Sequence, residues 1–333
     1  MKVTLAAAAL VSVAVLPQVL RSRLYACATP RLLVWFGAAS LFAIAACSIS
    51  LLAAIVSPAP VPLADFPRAM GICIDEASRL LSNPLHHWPS IAAALLLAAA
   101  VVRVIVVAAL VARDASRAKP PGDRFPGEEE ALRRHLGITP PRLRLLPFEG
   151  SVAYTTGFLR PVTVVSEGLM RALAPSERLA VVAHEHVHAL CHHTVVLSIT
   201  RIVARAFGFV PGIRISTELL TTGLEARADV HAAMMVGDPL VVARAMTASA
   251  RLTSVPVAAI AGISDGEIDY RIRQLTPQRH ARAKPGLVGV VVLATIATLF
   301  AQGMAWSEGR SALTRGPLAL AAYDACHVPH ALQ

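Results

Sequence analysis

The chain has 333 residues, 55% of them hydrophobic and only 16% charged, a composition too apolar for an ordinary soluble domain. Its 31 Lys and Arg against 21 Asp and Glu give a formal net charge of +10. With 5% aromatic residues and no basic run interleaved with aromatics, this excess does not read as nucleic-acid binding. A membrane protein with its basic loops on one side accounts for it more simply.

Four stretches, 3–20, 32–57, 91–112 and 286–304, are nearly free of charge, and each is close to the ~17–25 apolar residues that cross a bilayer as a helix. Only Lys2 precedes the first stretch while Arg21 and Arg23 follow it, the reverse of a signal peptide. Lys and Arg cluster after the first and third stretches and before the fourth, so the rule that basic loops stay inside orients the chain. The reading is a multi-pass protein of the plasma membrane with both termini outside and residues 113–285 in the cytoplasm. Residues 1–112 hold three spans, 286–304 the fourth, and 305–333 form a short extracytoplasmic tail. Arg103 falls inside the third span and is expected to face the bundle or a wet cavity, because a charge in lipid is costly. Cys73 and Cys326 are the two cysteines expected outside, where a disulfide between them is possible; Cys27, Cys47 and Cys191 are expected to be reduced.

The cytoplasmic segment opens on a linker rich in Pro, Gly and charge, followed by a short polar helix from about Glu128. Short β-branched runs at 142–147, 151–157 and 161–168, with turn breakers between them, predict a small antiparallel sheet. The stretch "APSERLAVVAHEHVHALCHHTVVLSI" predicts one long helix, with Pro175 at its first position and Glu177 in its first turn. Further helices are expected over about 215–236, ended by Gly237 and Pro239, and from 239 to about 253.

The chemistry concentrates on the long helix. His184 and His188 are four apart and project from one face, a spacing that lets both imidazoles reach one tetrahedral ion. Glu185 lies beside them, too far round to be a third ligand but placed to act as general base, as in the His-Glu-x-x-His arrangement of zinc proteases. On the next helix Glu225 and Asp229 are again four apart. Ala228 and Ala232 keep that face slim enough for close approach, so Glu225 is the expected third ligand. Asp229 is then placed to accept a hydrogen bond from the outer nitrogen of a ligating histidine. His231, Tyr154 and Arg271 are candidates for stabilising an oxyanion, and the strand containing Tyr154 is one that an extended peptide could join at its edge. His186 is expected to be solvated or beside the ligands, His193 to lie at the surface, and Cys191 and His192 to touch at most the rim of the site.

Spanning helices, "AHEHVHALCHH", "LLTTGLEARAD", "DYRIRQL" and a last span together resemble the integral-membrane metallopeptidases of the BlaR/MecR type, relatives of the HtpX and CAAX-prenyl endopeptidases. The resemblance covers about residues 1–305, and its specific part is the ligand motifs. It implies a mainly α membrane protein, four transmembrane helices with a cytoplasmic α+β zincin-like domain. It also implies zinc on His184, His188 and Glu225, with Glu185 as base, Asp229 as the accompanying acid, and Arg271 matching a similarly placed arginine. Those sensors carry an extracellular penicillin-binding domain, and the 29 residues after Met304 are too few for one, so direct β-lactam sensing is not expected. The activity implied is zinc-dependent hydrolysis of peptide bonds in a cytoplasmic or membrane-proximal protein, in signalling or regulated proteolysis. Such a substrate could be a transcriptional repressor or a membrane protein, with the lipid bilayer as the other partner. The alternatives are a membrane-protein quality-control protease and a non-catalytic metal-binding signalling protein.

Overall fold

The structure, a computed structural model, describes residues 2–56, 88–117, 142–157, 161–252 and 265–276. The expected fourth span, the helix from Glu128, and Cys73 and Cys326 lie outside the described residues. Three long helices come first: α1 (Lys2–Cys27), α2 (Pro30–Val56) and α3 (Trp88–Arg117). α1 and α3 contain the expected spans 3–20 and 91–112, and α2 covers the expected 32–57 up to Val56. Among the described residues, two segments are long and apolar enough to cross a membrane, Pro30–Ser48 in α2 and Ile91–Asp114 in α3.

Contacts divide the chain into two compact units. The described residues of one are 2–13, 42–56 and 88–102. Its helical parts turn large apolar side chains outward, among them Phe42, Leu95, Leu96 and Val101, as a surface facing hydrocarbon does.

The other unit comprises 14–41 and 103–291 and carries the ligand motifs. Its strands are β1 (Arg142–Leu146), β2 (Ala153–Thr156) and β3 (Val162–Ser166). They form one sheet in the order β1-β3-β2, with β1 parallel and β2 antiparallel to β3. The expected all-antiparallel sheet is thus corrected to a mixed one. The tight β2–β3 connection closes a hairpin, whereas the longer path from β1 returns β3 alongside it in the same direction. β2 is an edge strand. The buried face of the sheet, with Leu143 and Val165, packs with Leu169, Met170 and Leu173 of the short helix α4 (Glu167–Ala172) and its exit, and with Val182 of α5.

Helix α5 (Pro175–Leu190) starts as expected, with Pro175 at its first position and Glu177 accepting a hydrogen bond from the Ala174 N–H at 3.0 Å. It does not continue to Ile199. His192 adopts the left-handed conformation at φ 52°, and α6 (His193–Phe207) leaves at 78° to α5. The bend buries the ring of His193 and leaves Cys191 and His192 exposed. His193 is therefore a core residue rather than a surface one, and His186 is buried as well.

Helix α7 (Pro211–Val236) begins earlier than expected and ends at Gly237, whose φ of 79° caps it. It is followed by α8 (Pro239–Leu252) and α9 (Asp265–Leu275). One face of α7 packs on α1 and α2 through Leu20, Leu24, Leu33, Phe36, Ile215 and Leu219, where Tyr270 of α9 joins them. Another face packs on α5 and α8 through Ala180, Ala183, Ala232 and Val242. The alanines bring α5 and α7 close, as their sequence positions suggest.

Candidate metal centre

Helices α5 and α7 bring His184, His188 and Glu225 together. The Nε2 atoms of the two histidines are 3.0 Å apart. The Glu225 carboxylate lies 3.4 Å from Nε2 of His184 and 3.5 Å from Nε2 of His188. One ligand atom from each residue fits within 4.8 Å of the others, the single such group of three among the described residues. Two imidazole nitrogens and a carboxylate oxygen form a donor set suited to a tetrahedral zinc with an open position.

The surroundings also fit a cation. Asp229, fully buried, sits 2.9 Å from Nδ1 of His184. It takes the Nδ1 proton as hydrogen-bond acceptor and leaves Nε2 of the neutral ring with a free lone pair. Burial alone would strip the charge from the His184 ring, but hydrogen bonds to Asp229 and Glu225 and their charges push its pKa up to about 10. The two carboxylates thus favour positive charge at this point, a setting compatible with a bound cation. Burial likewise works against charge on Glu225 and Asp229. Even so, the histidines and Arg271 hold Glu225 well below the usual carboxylate range, and Arg271 and His184 hold Asp229 below it.

Arg271, from α9, makes two parallel hydrogen bonds to Asp229, Nε to Oδ2 at 2.7 Å and Nη2 to Oδ1 at 3.0 Å. Its Nη2 is also 3.5 Å from Glu225. The guanidinium thus ties α9 to α7 and fixes Asp229, which fixes His184. Glu267, one turn earlier on α9, is buried, and that burial together with the charge of Glu225 pushes its carboxyl up to about 7 against the opposing pull of Arg271.

Glu185 is buried beside the ligands. Its Oε2 accepts a hydrogen bond from Oγ1 of Thr155 at 2.8 Å, and the same hydroxyl is 2.9 Å from the Glu185 backbone oxygen. Thr155 sits on the edge strand β2, opposite Thr163 of β3, whose hydroxyl is 3.2 Å away. One proton on Thr155 serves two acceptors, and Thr163 can donate in turn. Sequence reasoning passed over Thr155. Its signal lay in strand alternation: if β2 borders α5, either Tyr154 or Thr155 faces the Glu185 carboxylate, never both. The structure turns Thr155 inward, so Tyr154 projects from the opposite face of the sheet. Its hydroxyl pKa is raised by burial there.

His231 lies on α7 beyond Asp229. Its Nδ1 donates to the backbone oxygen of Arg227 at 2.7 Å, one turn back on its own helix, and it belongs neither to the donor group nor to the cavity lining. Cys191 and His192, at the bend, are likewise outside both.

A cavity of about 370 Å³ adjoins the centre. His184, Glu185, Asp229 and Arg271 form its polar end, and Val181, Leu169, Val242, Ala245, Met246 and Ile272 contribute most of its apolar wall.

Comparison with protein families matches residues 148–251 to Peptidase family M48. The match takes in β2, β3, α4, α5, α6, α7, all but the last residue of α8 and every residue of the donor group, though not Arg271. No curated protein matches the chain. A region similar to a metal-dependent peptidase family, holding a group of residues able to bind a metal, supports a metallopeptidase. The match is to a different peptidase family description from the BlaR/MecR type that the sequence resembles, and it covers the motif helices rather than the spans.

Proposed function

We propose that the protein is a membrane-bound, zinc-dependent endopeptidase that hydrolyses a cytoplasmic or membrane-proximal protein in regulated proteolysis. The observation that carries this reading is the convergence of His184, His188 and Glu225 with Glu185 one residue from the first ligand and buried at the same place. A bound zinc ion would supply Lewis-acid polarisation of the scissile carbonyl and acidify the attacking water.

The remaining work falls to side chains. Glu185 takes a proton from the attacking water and returns it to the leaving amine. Thr155 holds that carboxylate in place from the sheet. Arg271 and Asp229 act as a relay of orientation: the guanidinium fixes the carboxylate, and the carboxylate fixes the ring of His184 in the tautomer a metal ligand requires. The free edge of β2 offers backbone hydrogen bonds to an extended substrate, and the adjoining cavity accepts a large apolar side chain.

The test compares the full-length wild type with Glu185→Gln in lipid vesicles, measuring bound metal and hydrolysis of casein or the protein's own chain. The expected result is equal metal content with activity lower by ~10²–10⁴-fold, the usual worth of a positioned base. Equal activity would remove the enzyme reading and leave a metal-binding protein without catalysis.

A further inference from the structure

We propose that α6 and α7 form a re-entrant hairpin that enters the cytoplasmic leaflet, turns near the middle of the bilayer and returns, with lipid covering its exposed apolar side chains. This rests on the reading of α1, α2 and α3 as spans with their basic ends inside.

Three contacts gauge the depth. Nε of Arg103 donates to the backbone oxygen of Ala206 at 2.5 Å. Arg103 lies eleven residues inside the Asp114 end of its span, which is ~16 Å at 1.5 Å per residue. On α2, a Cβ at Gly37 would meet the Ser216 oxygen and Leu220, and Gly223 of α7 is equally close to Leu33 and Val34. α7 therefore runs antiparallel to α2, with Ser216 beside a residue ~10 Å below Pro30 and its N-terminus deeper still. On α1, the backbone of Ala14 crowds Gly212, and Ala14 precedes Arg21 by ~10 Å of helix. All three place the turn at 208–211 roughly 10–17 Å inside, against a half-thickness of ~15 Å for the hydrocarbon core.

The turn is built for that setting, where every backbone polar group needs a partner within the protein. The Gly208 N–H donates to Ala204 and the Val210 N–H to Phe207. Arg103 takes the oxygen of Ala206 at the end of α6, and its guanidinium lies 5.7 Å from the Phe209 ring centre. This explains a charge in the middle of a span: it caps a helix that ends in the membrane. Phe209, 74% exposed, and Ile199, 56% exposed, face outward. Two other charges on the hairpin are paired, Arg205 with Asp114 and Glu218 with Arg21. Arg201 and Arg214, exposed on the two legs, must reach headgroups or a hydrated cleft. Helix α5 is no part of this insertion, since it buries Glu185 and His188 within the protein.

The consequence concerns substrate choice. Glu225 stands fourteen residues above Pro211, ~21 Å along α7, so the hairpin sets the metal centre at the bilayer surface. The peptide bonds in reach are those close to where a substrate leaves the membrane.

The test uses the full chain, its native cysteines replaced, in phosphatidylcholine vesicles with nitroxides at shallow or deep acyl positions. Fluorophores go on F209C, I199C, L96C as a span control and M234C as an aqueous control. The expected pattern is F209C quenched at least twofold more by the deep nitroxide than by the shallow one, I199C the reverse, and M234C reached by iodide alone. I199C alone still reports insertion should F209C not fold. Aqueous maleimide reacting with F209C and I199C as fast as with M234C, while L96C is quenched by lipid, would overturn the hairpin alone. An L96C label reached by iodide and not by lipid would overturn the membrane reading with it. Metal content and hydrolysis, measured separately, keep failure of the peptidase reading distinct from both.

Discussion

Replacing Asp229 by Asn tests the centre where it is most constrained. The fully buried carboxylate has three partners: Nδ1–H of His184 at 2.9 Å, and Nε and Nη2 of Arg271 at 2.7 and 3.0 Å. An amide has one acceptor oxygen and an NH2 group that only donates. If the oxygen stays on His184, the NH2 faces the guanidinium donors. If it turns to Arg271, the NH2 faces Nδ1 and drives the ring proton onto Nε2, the atom a metal needs. Either way the buried guanidinium loses its counter-charge and draws on Glu225, 3.5 Å away. Removing a partner that orients a ligating histidine costs ~10–100-fold in metal affinity, and Glu225 is pulled from its place as well, so the upper figure, about 100-fold or ~2.7 kcal/mol, is expected. The metal-free protein should also lose roughly 3 kcal/mol, the cost of breaking a buried ion pair. Chelator-competition titration and denaturant unfolding of full-length protein measure both. A dissociation constant within threefold of wild type, with unchanged stability, would refute the chain of orientation from Arg271 through Asp229 to His184.

Thr155→Val should lower kcat by about tenfold, the worth of one hydrogen bond to a charged group, with KM and metal content unchanged and Thr155→Ser restoring activity; steady-state kinetics decides. Met246→Trp should fill the cavity and weaken cleavage of peptides with a large apolar side chain by ~10–200-fold relative to small ones, read by competition between peptide pairs. The pH dependence of the metal-free protein carries the mark of Glu267. Its folded pKa of about 7 lies above the ordinary glutamate value of 4.5, so the folded state holds a proton that the unfolded chain releases. Its stabilisation is full below the unfolded value and is lost as pH rises through 7. Between pH 4.5 and 8 the wild type should therefore lose roughly 3 kcal/mol more than Glu267→Gln in unfolding titrations. Parallel curves for the two proteins would assign the buried carboxyl to no such role.

The sequence by itself picked out the candidate ligands. His184, Glu185 and His188 are legible because a helix has one period, and side chains four apart must share a face whatever surrounds them. Glu225 and Asp229 are legible for the same reason, helped by the alanines beside them, and the long apolar runs announce helices by composition alone. Tertiary structure decided what period and composition leave open. Strand alternation offers two faces, and only packing against α5 turned Thr155 rather than Tyr154 toward Glu185. The apolar stripe through 175–199 reads as one helix, yet burial of His193 and the left-handed His192 break it in two. Arg271 is far from Asp229 in the chain, and nothing local in "DYRIRQL" says that its guanidinium closes on that carboxylate. Local sequence fixes which groups can act together on one element. Which groups from different elements meet is set by how apolar faces pack, a property of the whole chain.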